Sequence, residues 1–155
     1  MNWNPIDLLP QKAPMAFITA IEDVDFDNQK MVTRIDIKDT DLMFQKNING
    51  VPSCVALEYM AQSIACYIGA QDIHVTGETK AVAGFIMGSR DLHFMIPKFN
   101  VGESYYVHVQ SLFCDNNVAS FDCKVYDSNN NVVADGNLNA FRPDDINNFM
   151  EYGNE

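Results

Sequence analysis

Glu58 and Gln62 stand out within residues 51–70, a run made otherwise of apolar and small side chains. They are four positions apart, so a helix would carry both on one face. An acid held among apolar side chains can keep its proton near neutral pH, which suits it to donate that proton to a leaving group. A carboxyl in this setting could take part in proton transfer, and its place in an apolar run is the feature to explain.

The run around the pair predicts a long helix at the centre of the core, because it is apolar on every side. Pro52 fits the first helical turn, and Gly69-Ala70 followed by Asp72 predicts the end. One stripe of this helix carries Glu58 and Gln62 among small residues, which are Cys54, Ala61, Ala65 and Gly69. The opposite side carries the packing residues Leu57, Met60, Ile64, Tyr67 and Ile68. The small stripe leaves room for another molecule beside the carboxyl.

Alternatives stay open for the reactive groups of this run. Glu58 is a structural carboxyl if the backbone or a tyrosine satisfies it in the core. Cys54 is a weak candidate nucleophile, because no histidine is near it in sequence and buried thiols are usually inert. The four cysteines show no C-x-x-C spacing, so we expect buried free thiols with neither a metal nor a disulfide: Cys54, Cys66, Cys114 and Cys123.

The composition bounds the class of protein. With 155 residues, 47% of them hydrophobic, the chain predicts one domain over residues 1–155. The formal net charge is −11 and the pI is about 4.4. Nucleic acids and anionic membranes bind through clustered Lys and Arg, so we assign neither as a partner. No leader-like or membrane-spanning segment is evident in the sequence, and we expect a cytoplasmic protein.

Strand-like segments flank the helix on both sides. We predict strands over residues 15–25 and 31–37 before it, and over 81–94, 104–113, 119–126 and 132–141 after it. A packed lead-in or short helix (1–11), a loop (38–50), a polar connection (71–80) and an acidic, fraying tail (142–155) complete the chain. A sheet with one hydrophobic face must bury that face, so the predicted class is α+β, with an antiparallel sheet curved around one central helix.

The helix start and the order of elements together resemble a known family. The run P-S-C-x-x-L-E-x-x-x-Q at residues 52–62 resembles the hotdog-fold 3-hydroxyacyl-thioester dehydratases of fatty-acid and polyene synthesis, as do L-P at 9–10, P-M at 14–15, G-F-I-M-G at 84–88 and V-G-E at 101–103. The pattern V-P-x-x-V-x-x-E-Y-M-A-Q at 51–62 is most similar to the ApeP-like branch, which is associated with aryl polyene gene clusters.

This resemblance implies a reaction and a set of site residues. The reaction is loss of water from a 3-hydroxyacyl thioester on an acyl carrier protein, which gives a 2-enoyl thioester without a cofactor or metal. Glu58 would handle the β-hydroxyl, and Gln62 would orient its carboxyl. The backbone N–H groups of Ser53 and Cys54 would hold the thioester carbonyl, since a helix N-terminus offers unpaired donors where enolate charge develops. Ser53 stands where the family usually has Gly.

The chain departs from the family at the catalytic histidine. The family places this His fourteen residues ahead of the carboxylate, where this sequence has Phe44, and Gln11 replaces a His that is common in the lead-in. None of His74, His93 and His108 is at the family position, and we predict hydrogen-bonded or surface roles for them. Hotdog dehydratases are dimers in which the His of one subunit faces the carboxylate of the other. We therefore expect a homodimer or a heterodimer, and our hypothesis is a heterodimer with a His-bearing homologue.

Two other functions compete with the dehydratase. A hotdog thioesterase would use the helix carboxylate to activate water, and a non-catalytic subunit would only bind acyl chains or stabilise its partner. Contact with an acidic carrier protein needs a local basic patch on this acidic chain, for which Lys46, Arg90 and Lys98 are the candidates. The alternative for these cations is ordinary solvated surface.

Overall fold

One long helix lies at the centre of the computed structural model, which describes residues 3–77, 85–115 and 117–141. This helix, α2 (Ala56–Thr76), follows a short 3-10 turn over Ser53–Val55. It ends at Gly77, whose backbone is left-handed with φ 76° and whose N–H donates to the carbonyl oxygen of Ile73 at 2.8 Å. Glycine adopts this conformation without steric cost, which explains the end of the helix.

The predicted end of the helix at Gly69-Ala70 is wrong. Gly69 lies in the helix interior, where a Cβ would be 3.2 Å from the carbonyl oxygen of Leu8. This glycine therefore allows the N-terminal segment to approach α2 closely. The predicted connection over residues 71–80 is accordingly helical as far as Thr76, so His74 belongs to the last turns of α2.

The predicted α+β class is confirmed, with two strands before α2 and four after it in one antiparallel sheet of order β1-β2-β6-β7-β8-β4. These strands are β1 (Ala20–Asp25), β2 (Lys30–Asp36), β4 (Phe85–Phe94), β6 (Ser104–Asp115), β7 (Val118–Tyr126) and β8 (Val132–Phe141). One face of the sheet packs on α2, which is the predicted hotdog arrangement. The predicted strand residues 81–84 and the tail 142–155 lie outside the described residues.

The N-terminal segment packs on the core, as predicted. Helix α1 (Pro5–Leu8) begins at Asn4, whose side chain accepts the N–H of Ile6 at 3.2 Å, and Leu8 and Leu9 are fully buried. Strand β1 begins at Ala20, later than the predicted residue 15. The backbone between residues 15 and 17 is hydrogen-bonded to a helix side chain, described below, and does not join the sheet ladder.

A second, two-stranded sheet was not predicted. It pairs β3 (Gly50–Pro52) with β5 (Lys98–Asn100), and each strand is too short to show a period of two. A Cβ on Gly50 would overlap the carbonyl oxygen of Phe99, so glycine is required for this close pairing. Because β3 runs directly into the 3-10 turn, this small sheet positions the start of α2.

The core lies between α2 and the concave face of the large sheet. Tyr59 and Tyr67 are buried in it, Tyr67 as predicted, and Tyr67 packs edge-on against Phe121 with ring centroids 5.8 Å apart. The cysteines are free thiols, of which Cys66 and Cys123 are buried but Cys54 and Cys114 are exposed, so the expectation of four buried thiols is wrong for the latter two. No helix within the described ranges is long and apolar enough to cross a membrane.

Candidate active site

Gln62 connects the central helix to the N-terminal segment. Its side chain is fully buried, and its amide nitrogen donates to the backbone oxygen of Met15 at 2.7 Å and to a carboxylate oxygen of Glu58 at 2.8 Å. Its amide oxygen accepts the N–H of Phe17 at 2.8 Å. Both ends of the amide are therefore engaged, which fixes its orientation and leaves it little freedom to move.

Glu58 is half-buried, and among the described residues one of its two oxygens has a partner. Gln62 donates to Oε1, whereas no donor to Oε2 is found in the part of the chain that the structure describes. The ion pairs found among the described residues do not include Glu58. The carboxyl is thus held from one side, and its second oxygen is available to another molecule.

The predicted carbonyl-binding amides lie at the start of the helix, but they are not equivalent. The N–H of Ser53 donates to the carbonyl oxygen of Pro97 at 3.2 Å, a contact that follows from the pairing of β3 with β5. No acceptor is found among the described residues for the N–H of Cys54, and Cys54 is an exposed residue. Cys54 therefore offers the free amide donor, one helical turn before Glu58 and on the same side of the helix.

One face of α2 is open between residues 57 and 68, where its side chains are only half-buried. It includes Leu57 and Ile68, so their predicted place on the opposite side is wrong, although both still pack partly against the core. The sheet and the N-terminal segment bury the other sides, whereas this face is half-exposed at positions three or four apart: Leu57, Glu58, Ala61, Ala65 and Ile68. Its small members belong to the stripe predicted from the sequence, while Gln62 and Gly69 of that stripe are buried under the N-terminal segment. The carboxyl of Glu58 is the acidic group in the middle of this apolar face.

The loop before the helix, residues 38–50, contains no histidine. Phe44, at the family position of the histidine, is half-buried, packs against the core, and donates its N–H to the carbonyl oxygen of Asp41 at 3.0 Å. The neighbouring Leu42 and Met43 are 50% and 40% exposed. This loop therefore presents an apolar surface where the family has an imidazole.

The three histidines have partners away from Glu58. His74 stacks on Phe26 with centroids 4.2 Å apart, sixteen residues along α2 from Glu58, or about 24 Å at 1.5 Å per residue. His93 lies 2.8 Å from Asp135 on the neighbouring strand. His108 alternates with buried Val107 and Val109, so it faces away from α2, and burial lowers its pKa. As predicted, these are structural or surface side chains.

The hydrogen bond between Glu58 and Gln62 agrees with their predicted place on one helix face, but sequence reasoning missed the groups that hold Gln62 and the helix start. Met15 and Phe17 contribute only backbone atoms, and Pro97 contributes only its carbonyl oxygen. Backbone contacts of this kind leave no trace in residue type. The one available signal was Pro14, which directly precedes the predicted first strand and marks residue 15 as the start of a new segment.

A comparison with protein families finds one matching model, the ApeP-like family, described as ApeP dehydratase, which matches residues 3–151. A search of curated proteins finds no match. Within the described residues, no three His, Cys, Asp or Glu side chains are grouped so that they could hold a metal ion.

Solved structures with similar folds include a dehydratase and thioesterases. The dehydratase heterocomplex ApeI:P from Xenorhabdus doucetiae matches with a TM-score of 0.86, 22% identity and 99% coverage of both chains. The PaaI protein of the Escherichia coli phenylacetic acid degradation operon matches with a TM-score of 0.59, 11% identity and coverage of 79% of this chain and 78% of that chain. A hypothetical thioesterase with coenzyme A from Streptococcus pneumoniae matches with a TM-score of 0.57, 8% identity and coverage of 79% and 84%.

Proposed function

The chain belongs to the ApeP-like dehydratase family, and from this premise we propose that it is the carboxylate-bearing subunit of a 3-hydroxyacyl-[acyl-carrier-protein] dehydratase. The product is a 2-enoyl thioester for fatty-acid or aryl polyene synthesis. One observation supports this most: Gln62 holds the Glu58 carboxyl on an open helix face with one oxygen unengaged by the described residues.

Glu58 acts as the acid in this proposal. A base removes the proton from C2 of the substrate, the C3–O bond breaks, and Glu58 gives its proton to the departing hydroxyl, so that water leaves and a C2–C3 double bond forms. Negative charge develops meanwhile on the thioester carbonyl oxygen, which the amide of Cys54 stabilises. Gln62 keeps the carboxyl in place. The base returns its proton to Glu58 through solvent, which completes the cycle.

A homologous subunit that carries a histidine supplies the base. The loop of this chain has Phe44 at that position, and the three histidines have other partners. The open face of α2 supports the proposal, because an apolar surface of this kind is normally covered by a partner. The edge strand β4, with Phe94 40% exposed and followed by Met95 at 51%, supports it further. ApeI:P, one of the similar structures, is itself a heterocomplex.

The acyl chain is delivered by a carrier protein, and we assign the contact to the three cations Lys46, Arg90 and Lys98. Lys46 is exposed in the loop before β3, and Arg90 is exposed on β4. Lys98 is half-buried and donates to the carbonyl oxygen of Ile48, so it contributes mainly through its charge. Cytoplasmic location stays a prediction.

The test compares the purified chain with its complex. A 3-hydroxyoctanoyl carrier protein is incubated with the chain alone, with a His-bearing homologue alone, and with the two coexpressed, and the enoyl product is measured by mass spectrometry. We expect turnover by the complex and only background turnover by this chain. Full activity of the isolated chain would refute the need for a second subunit, and an inactive complex would refute the dehydratase.

The same incubation examines the thioesterase alternative. One of the structural neighbours named above is described as a hypothetical thioesterase, but its identity of 8% shows only the shared fold. A thioesterase would release the free thiol of the carrier arm, which a colorimetric thiol reagent detects. We expect enoyl product without thiol release.

A further inference from the structure

Ser53 is the polar side chain at the entrance of the central helix, yet it does not cap the helix. Serine at a helix start commonly accepts an N–H of the first turn. Here neither the 3-10 turn nor α2 has a side-chain cap. No partner for the Ser53 hydroxyl is found within the described ranges, and the residue is half-exposed. Its hydroxyl is therefore available to an incoming molecule.

The backbone of the same residue is already engaged. The N–H of Ser53 donates to the carbonyl oxygen of Pro97 at 3.2 Å, and the pairing of Pro52 with Lys98 next to it keeps the two chain segments together. Among the described backbone groups at the helix start, a carbonyl that approaches thus meets one free amide, that of Cys54. Stabilisation of a developing oxyanion generally relies on two or more donors. The site lacks a second donor unless a side chain provides it.

We propose that the Ser53 hydroxyl is this second donor, and that it hydrogen-bonds the thioester carbonyl oxygen of the substrate together with the N–H of Cys54. The inference rests on the proposed function and adds a catalytic residue to it. Ser53 keeps its proton throughout: when the C2–H bond breaks, charge moves onto the carbonyl oxygen and the Ser53 hydrogen bond strengthens. When the C3–O bond breaks, the charge returns to form the C2–C3 double bond. No bond to Ser53 forms or breaks.

The kinetic test uses the complete complex and a 3-hydroxyoctanoyl carrier protein. Ser53→Ala removes the hydroxyl, and we expect kcat to fall about 100-fold with little change in KM, as for the loss of one oxyanion donor. Ser53→Thr keeps a hydroxyl and is expected to restore activity to within about tenfold of the original. Ser128→Ala is the matched control, because this exposed serine lies in the β7–β8 turn and its hydroxyl donates to the backbone oxygen of Ser104. The control should leave kcat unchanged.

A spectroscopic test separates this inference from the proposed reaction. A thioester of N-acetylcysteamine with carbon-13 at its carbonyl is bound to the complex, and its C=O stretch is measured by difference infrared spectroscopy. A hydrogen bond from Ser53 lowers the stretching frequency, and Ser53→Ala should raise it while Ser53→Thr should not. An unchanged frequency and kcat in Ser53→Ala, or equal losses in the Ala and Thr variants, would overturn the role of Ser53. A frequency change without any dehydration by the original complex would instead reject the dehydratase while retaining the carbonyl contact.

Discussion

Two polar pairs that involve α2 differ in how many of their hydrogen-bonding atoms have a partner. On the sheet side of α2, Ser63 donates to the backbone oxygen of Tyr59 at 2.7 Å and shares a 2.7 Å hydrogen bond with Thr33 of strand β2. Ser63 and Thr33 are both fully buried. On the other side, Gln62 is equally buried and saturated, but the Glu58 it holds is half-exposed with one oxygen unengaged by described residues.

The difference separates structural from chemical use of polar groups. A buried hydroxyl pair that satisfies itself ties the helix to the sheet and has nothing left to offer a ligand. The Glu58–Gln62 pair combines a saturated anchor with an acid that is left open. We infer that the sheet side of α2 was fitted for stability and the open side for reaction. The predictions below test this contrast.

The largest expected effect is on activity, from Glu58→Gln. The change keeps size and hydrogen bonding but removes the transferable proton, so kcat of the complex should fall about 1000-fold, within the range for general acids. Glu58 is half-buried and makes no ion pair with the described residues. The urea concentration at the midpoint of unfolding should therefore change little in the Glu58→Gln variant. Steady-state kinetics and urea titration measure the two quantities.

A result in which Glu58→Gln leaves the complex active would favour the non-catalytic alternative. The matched control is Glu22→Gln, because Glu22 is a glutamate of strand β1 that pairs with Arg34 on the sheet. The kcat of the complex should be unchanged in Glu22→Gln. Its free energy of unfolding should also change little, because exposed ion pairs contribute little to stability.

Gln62→Met should affect both stability and activity, because Gln62 anchors the N-terminal segment to α2 and also holds the Glu58 carboxyl. The variant leaves the backbone groups of Met15 and Phe17 without their partner, which should lower the free energy of unfolding by about 2–3 kcal/mol. A displaced carboxyl at Glu58 should lower kcat about 100-fold. Urea denaturation and kinetics at a temperature where the variant is folded test this. A stable variant with full activity would contradict the anchoring role.

Ser63→Ala should affect stability alone. The change leaves Thr33 with a buried hydroxyl that has lost its partner, so we expect a loss of about 1–3 kcal/mol in the free energy of unfolding and unchanged kcat in the folded complex. Adding Thr33→Val removes the orphaned hydroxyl, and the double variant should be less destabilised than the sum of the single ones. A large fall in kcat for Ser63→Ala would break the division between the two sides of α2.

The predicted and the unpredicted parts of the molecule differ in the range of their contacts. The central helix and the six main strands were predictable because burial of one face repeats along the chain, and the contact of Glu58 with Gln62 follows from their spacing. The helix end was misjudged because Gly69 serves a contact with Leu8, distant in sequence. The bond from Ser53 to Pro97 was invisible for the same reason, since it joins backbone atoms of two short strands.

The smallest expected effect is the slower labelling of one exposed thiol when a substrate is bound. Cys54 is exposed at the open entrance, whereas burial raises the pKa of Cys66 to about 12, which lowers its thiolate fraction roughly a thousandfold. Iodoacetamide at pH about 8 should therefore label Cys54 in the folded chain but not Cys66, and both in denaturant, as read by peptide mass spectrometry. Cys114, which is also exposed and lies at the far end of β6, is the matched control. A bound thioester should slow the labelling of Cys54 and leave that of Cys114 unchanged. Equal protection of Cys54 and Cys114 would mean that the substrate does not enter at the start of α2.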